Sequence, residues 1–122
     1  ETIYCRMNSP FPMLLGHRDY VQLRFAGRIP GGGMVILLKS TTHQARPPTD
    51  SAVRAETQLG CYLLQPTRTG TRVFMGSRGN QKQSVHPPQW VMTRILQSGP
   101  PKWLAGLEAK AGSLSESQRE AA

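Results

Sequence analysis

His17-Arg18-Asp19-Tyr20-Val21-Gln22-Leu23-Arg24-Phe25 is the stretch on which the reading of this chain turns. From Tyr20 onward it alternates strictly. Val21, Leu23 and Phe25 fall on one face, and Tyr20, Gln22 and Arg24 on the other. A period of two is the pattern of a β-strand whose faces meet unlike surroundings. Taken alone, the alternation sets Val21, Leu23 and Phe25 against a core and leaves the polar trio to solvent.

Outward from this strand, Glu1–Met7 holds Ile3, Tyr4 and Cys5 and reads as a short strand. Asn8-Ser9-Pro10 ends it, and Pro10 and Pro12 enforce an extended connector. The strand itself is expected over Asp19–Arg28. In Ile29-Pro30-Gly31-Gly32-Gly33 the glycines permit positive φ, so a turn follows. Met34–Ser40 is then a second strand, apolar on both faces and therefore central in its sheet. Thr41–Ser51, with Arg46-Pro47-Pro48-Thr49-Asp50, is a loop too proline-rich for regular structure. Ala52–Gln65 is expected as one long strand, with Gly60 marking a bulge or a close approach. Pro66–Gly70 turns the chain, Thr71–Ser77 returns, and Arg78–His86 forms a second polar loop.

From Pro87 the period changes. Val91, Ile95, Trp103 and Leu107 make one row at steps of four, interrupted by Gly99, and Met92, Leu96 and Leu104 make its neighbour. That is an amphipathic helix, expected to break or kink at Gly99-Pro100-Pro101. Ala109–Ala122 has little left to bury, and the folded part is expected over 1–112 with a disordered tail over 113–122. Several antiparallel strands followed by one apolar-faced helix predict an α+β domain, its helix covering one face of a curved sheet.

The chain has 122 residues, the size of one domain. It begins with Glu1 rather than Met, as an excised or processed fragment would. Fifteen basic residues against seven acidic ones give a formal net charge of +8, dispersed rather than clustered. Such a surface favours anionic partners. Specific nucleic-acid binding would need clustered Lys and Arg with exposed aromatics between them, and is not expected. No apolar run approaches bilayer length; the longest, Met34–Leu38, is a buried-strand signal. Cys5 and Cys61 form neither a metal motif nor a disulfide framework and suit a reducing compartment.

Catalytic constellations are thin. His17, His43 and His86 have no partners at ligand spacing, and no serine stands in a nucleophile elbow. Gly31-Gly32-Gly33 joins two strands, which argues for a hairpin turn and against a phosphate-cradling loop. No enzyme, metal site or cofactor is expected. What remains is pocket-lining potential: a helix with two tryptophans above a sheet face mixing Tyr20, Gln22, Arg24, Glu56, Gln58 and Tyr62.

Five pieces in order resemble the START lipid-transfer domains, which include the phosphatidylcholine transfer protein. They are Pro10-Phe11-Pro12-Met13; Arg18-Asp19-Tyr20-Val21 with Leu23-Arg24; Val53-Arg54-Ala55-Glu56; Gly70-Thr71-Arg72-Val73-Phe74-Met75; and Pro88, Trp90-Val91 running to Ser98-Gly99-Pro100 and Leu104. The resemblance covers only the C-terminal portion of such a domain. It implies a helix-grip fold, in which a curved antiparallel sheet closes on the C-terminal helix around a tunnel for one lipid. It also reverses the orientation given by alternation, turning Tyr20, Gln22 and Arg24 into the tunnel.

By the same resemblance the lipid-binding residues are Tyr20, Gln22, Arg24, Glu56, Gln58, Tyr62, Trp90, Val91 and Ile95. Sterol-binding members set an acidic residue near the arginine matched here by Arg24, and the corresponding position is Cys5. The anion is then expected from Glu56 or from a phospholipid phosphate, which favours phospholipid over sterol. A choline cage would need aromatics where Cys5 and Gln58 stand, which argues against phosphatidylcholine. Arg18-Asp19 reads as an ion pair or a cap at the start of the strand. The resemblance implies non-enzymatic lipid transfer, or alternatively a lipid-sensing regulatory module of a larger protein. It also implies a cytoplasmic chain that visits an anionic membrane surface, docked by Arg94, Lys102 and Lys110.

Overall fold

The computed structural model describes residues 1–82, 86–114 and 118. The chain divides into two compact units, Glu1–Val85 and His86–Ala122.

The first unit is an open sheet of six strands. β1 (Thr2–Met7), β2 (Arg18–Ile29), β3 (Gly33–Ser40), β5 (Glu56–Pro66) and β6 (Thr71–Asn80) run antiparallel in the order β1-β2-β3-β5-β6. The two-residue β4 (Val53–Arg54) pairs parallel with the start of β2. The expected β2–β3 hairpin is present, and its turn uses the glycines as argued. Gly31 and Gly32 have φ of 83° and 79°, the left-handed region that side chains disfavour. β3 lies in the middle of the order, as an element apolar on both faces should.

Two boundaries differ from expectation. Ala52–Gln65 is not one strand but β4 and β5, interrupted at Ala55. β3 ends at Ser40, so the β3-side edge of β2 is vacant beside Arg18 and Asp19, and β4 fills it. Val53 N–H donates to the His17 carbonyl and Ala55 N–H to the Asp19 carbonyl. Such edge carbonyls need donors, and here the N–H groups of the returning chain supply them. β6 also outruns its expected end and takes Arg78-Gly79-Asn80 from the predicted loop. Gly79 makes this extension possible: a Cβ there would lie 2.3 Å from the Glu56 carbonyl oxygen. The rest of that loop, 83–85, lies outside the described residues.

Among the described residues of this unit, the buried apolar ones are Leu15, Val21, Ala52 and Ala55. They belong to the first half of β2 and to the segments before it and after β3. Farther along β2, Leu23 and Phe25 are 50% and 61% exposed. Alternation therefore identifies an apolar face correctly, but only Val21 on it is buried.

The second unit contains α1 (Gln89–Gly112). Pro88 precedes it with φ −53° and ψ 145°, the extended geometry of a helix boundary. Of the break or kink expected there, the break does not occur: the helix runs continuously through Pro100 and Pro101. Neither proline can donate to the carbonyls of Leu96 and Gln97, so two intrahelical bonds are missing while the helical course persists. Of the predicted tail, 115–117 and 119–122 lie outside the described residues. No helix among the described residues is long and apolar enough to cross a membrane, which says nothing of strands.

Candidate functional site

Pairing register assigns every strand residue to a face, because residues directly opposite each other point the same way. Tyr20 lies opposite Cys5, Gln22 opposite Ile3 and Ser40, and Arg24 opposite Leu38. Leu38 in turn lies opposite Gly60, and Gly60 opposite Ser77. These residues form one face, and a cavity of about 220 Å³ opens on it. Tyr20, Gln22, Leu38, Thr57, Gly60 and Tyr62 line it, with Cys5 and Met7 from β1 and Glu56, Arg78 and Gly79 where β5 meets β6.

The polar groups in the cavity are held in place. Tyr20 Oη donates to Gln81 Oε1 at 2.9 Å. Gln22 Nε2 donates to Thr57 Oγ1 at 2.7 Å, and both residues are only 8% exposed. Thr57 N–H donates to Ser40 Oγ at 2.7 Å, so β2, β3 and β5 are linked across the wall. Gly60 keeps the floor open: a Cβ there would lie 3.2 Å from Leu38 Cβ and 3.5 Å from the Thr57 methyl.

The predicted site residues separate into groups. Tyr20, Gln22, Glu56 and Tyr62 come together at the cavity. Gln58 does not. A bulge between Thr57 and Leu59 shifts the register, so Thr57 faces inward and Gln58 drops out of the alternation. Thr57, Leu38, Cys5 and Met7 are lining residues that the sequence reading did not select. For Thr57 the available signal was glycine inside a strand, which marks bulges and close approaches.

Arg24 shares the face but not the cavity lining. Its guanidinium pairs with the Glu1 carboxylate, and the pair is partly exposed, 44% at Arg24 and 57% at Glu1. The anion beside Arg24 is therefore Glu1, a residue outside the expected candidates. Trp90, Val91 and Ile95 occupy the first two turns of α1, exposed, buried and half-buried respectively.

The opposite face carries a separate polar cluster. Asp19 is 2% exposed and accepts from Arg54 Nε at 2.8 Å, Arg54 Nη2 at 3.1 Å and Tyr4 Oη at 3.3 Å. The predicted Arg18-Asp19 ion pair is thus replaced by Asp19–Arg54, while Arg18 Nε donates to the Gln81 carbonyl at 2.8 Å. Arg54 holds the Asp19 carboxyl below its ordinary range, chiefly by hydrogen bonding and against the opposing effect of burial. Arg54 also donates to the Arg46 and Pro47 carbonyls, and the Arg46 guanidinium lies 4.8 Å from the centre of the Tyr4 ring. The cluster straps the 41–51 loop to the sheet.

No group of three or more metal-ligating side chains occurs among the described residues. The arrangement on the inner face is one that orients a ligand: a few fixed hydroxyls and amides among apolar side chains.

An open antiparallel sheet with such a cavity on one face, in a chain ending in one long helix, defines a helix-grip fold. The START domain family model matches residues 1–116, and the chain belongs to the START domain family. Among solved structures, human STARD10 superposes with a TM-score of 0.66 at 28% identity, covering 86% of this chain and 41% of that one. Human StAR-related lipid transfer protein 5 gives 0.68 at 18% identity over 88% of this chain and 51% of that one, a likeness of fold alone. The lipid transfer and protein localization domain of human StarD13 (DLC2) gives 0.50 at 27% identity over 62% and 38%. The chain spans between 41% and 51% of the first two of these structures. No curated protein sequence matches it.

Proposed function

We propose that this chain forms part of a non-enzymatic lipid-binding domain, over residues 1–112, that carries one lipid between membranes. The observation that carries this reading is the inner-face cavity, where Tyr20, Gln22, Thr57 and Tyr62 converge around Leu38 and Gly60. At about 220 Å³ it is smaller than a drug-sized pocket of roughly 300–1,000 Å³ and suits a polar headgroup rather than a whole lipid. The same face continues along the sheet through Ile36, Tyr62 and Met75 and then Met34, Leu64 and Val73, an apolar track for acyl chains.

Phospholipid fits better than sterol, because Arg24 on this face is a bidentate phosphate donor whose present partner, Glu1, is solvent-accessible and exchangeable. Phosphatidylcholine fits less well. Tyr20 and Tyr62 supply aromatic rings, but Cys5 stands in the lining and Gln58 outside it. Trp90, Val91 and Ile95 belong to the lipid-contacting set in this reading. Arg94, Lys102 and Lys110 on α1 attract an anionic membrane by about 1 kcal/mol each, consistent with a cytoplasmic, peripheral protein.

Native mass spectrometry of the protein purified from cells tests the reading: a co-purifying phospholipid is expected, and a lipid-free protein refutes it. Arg24→Leu is expected to weaken phospholipid binding with the fold intact. The second reading, a lipid-sensing module of a larger protein, is in keeping with the protein-localization role in the name of the StarD13 domain. Lipid-dependent partner binding without transfer between vesicles would favour it.

A further inference from the structure

The turn that ends the 41–51 loop carries an arrangement the cavity does not use. Pro47 and Pro48 lead into it, and an isolated bridge between Thr49 and Ala52 closes it, with Asp50 and Ser51 between. Thr49, Asp50 and Ser51 are all exposed. Ser51 is nevertheless held. From β1, Arg6 Nη1 donates to Ser51 Oγ at 3.2 Å, and Arg6 Nη2 donates to the Ser51 carbonyl at 3.2 Å. Thr49 Oγ1 lies 2.9 Å from the same hydroxyl. Ser51 also borders an open cleft of about 460 Å³, with Pro12, His17 and Arg54 on its wall. Atoms added at this turn meet open space and not a packed core.

The Arg6 guanidinium is therefore set on an exposed hydroxyl, through two acceptors that carry no charge. Arg6 stands opposite Asp19 in the pairing of β1 with β2 and exerts a weak pull on its carboxyl. The hydrogen bonds to that carboxylate come instead from Arg54 and Tyr4. Tyr4 shares a face of β1 with Arg6, and the Arg46 guanidinium lies 4.8 Å from the centre of its ring. Three guanidinium groups thus gather where the loop meets β1, on the face away from the cavity.

The geometry points to Ser51 as a phosphorylation site, with Arg6 as the group that receives the phosphate. In the transfer, Ser51 Oγ forms a bond to the terminal phosphorus of a nucleoside triphosphate held by a protein kinase. The bond from that phosphorus to the departing diphosphate breaks, and the hydroxyl proton passes to the kinase's base. The product carries about −1.5 to −2 charges and three strong acceptor oxygens. Arg6 then exchanges a bond to a neutral hydroxyl for a charge-assisted, bidentate one, the contact for which a guanidinium is best shaped. Thr49, the neighbouring hydroxyl, is bonded to Ser51 and not to an arginine, so Ser51 is the better placed of the two. Asp50, next in the chain, opposes the added charge. β1 is the first strand in the sheet order, so a phosphate on Arg6 ties the loop to an outer strand. The inference stands apart from the lipid reading, since it needs nothing in the cavity.

Two measurements test it. Phosphopeptide mapping of the protein, isolated from its own cells with phosphatases inhibited, is expected to find phosphate on Ser51. An unmodified Ser51, or phosphate on Thr49 alone, overturns the inference. The second measurement uses the full chain made with phosphoserine installed in place of Ser51 through a reassigned codon. Phosphorus NMR then follows the second ionisation of the phosphate, which lies at about 6 without a partner. It is expected about 0.5–1 unit lower with Arg6 present than in Arg6→Gln, because an adjacent cation favours the dianion. Asp50, Arg46, Arg54 and His17 are common to both chains, so the difference isolates Arg6. Arg6→Lys keeps the charge without the fork and is expected to fall between the two, which also guards against misfolding of Arg6→Gln. Equal values in all three chains would overturn Arg6 as the receiving group.

Discussion

Asp19→Asn keeps the size of the side chain and removes its charge, which isolates what the Asp19–Arg54 pair contributes. In the wild type the carboxylate is nearly inaccessible, with 3% of its side chain exposed against 17% at Arg54. It accepts two bonds from Arg54 and one from Tyr4. The variant leaves the Arg54 cation in a partly buried site without a counter-ion. Breaking a buried pair from one side costs about 3–5 kcal/mol, and the residual exposure of Arg54 places this case near the lower end, at about 3 kcal/mol. Against a typical total of about 5–15 kcal/mol that is a large fraction of the stability. Urea unfolding followed by circular dichroism measures it through the midpoint at constant slope. Arg54→Met in the Asp19→Asn background should cost less than the two single changes summed, by about 2 kcal/mol, since the stranded charge is then gone. A loss below about 1 kcal/mol for Asp19→Asn would place the pair with ordinary surface ion pairs and refute the argument. The exposed Glu1–Arg24 pair is the internal comparison: Arg24→Gln should change stability by no more than about 1 kcal/mol.

The same pair sets an acid limit. Because the folded-state pKa of Asp19 is lowered from 3.8, its contribution is complete above that value and is lost as pH falls through the still lower folded value. The stability difference between wild type and Asp19→Asn should therefore shrink below pH 3.8, and a constant difference in acid would contradict this. Gly79→Ala sets a methyl group against the Glu56 carbonyl, where a Cβ would lie at 2.3 Å, and should cost about 2 kcal/mol or more in thermal or urea unfolding. Gln22→Leu strips the buried Thr57 hydroxyl of its donor and should cost about 1–2 kcal/mol; adding Thr57→Val should recover part of that loss. Gly60→Val fills the cavity floor beside Leu38 and should reduce lipid uptake, read by native mass spectrometry, more than it reduces stability.

Much of the sheet was legible because its signals are local. The alternation from Tyr20 to Phe25 defines two faces whatever surrounds them, and Gly31 and Gly32 declare a turn that needs positive φ. The apolar run of β3 announces a central strand in the same way. Which face of β2 opens on a cavity was not in the alternation, which pointed to the apolar side; the family resemblance supplied the orientation. The onset of a helix after Pro87 was legible too, but the persistence of α1 through Pro100 and Pro101 was not, since a proline pair weakens a helix without dictating its end.

What only the tertiary structure decided is what depends on a partner distant in sequence. Asp19 meets Arg54 and not its neighbour Arg18, because β4 returns beside the vacant edge of β2. Arg24 meets Glu1 because β1 runs antiparallel to β2 and brings the start of the chain to it. Thr57 enters the cavity in place of Gln58 because β5 bulges between Thr57 and Leu59 where it pairs with β6. A strand's period is fixed by its own backbone, but its register is fixed by the strand next to it. One bulge is enough to exchange the two faces for every residue beyond it.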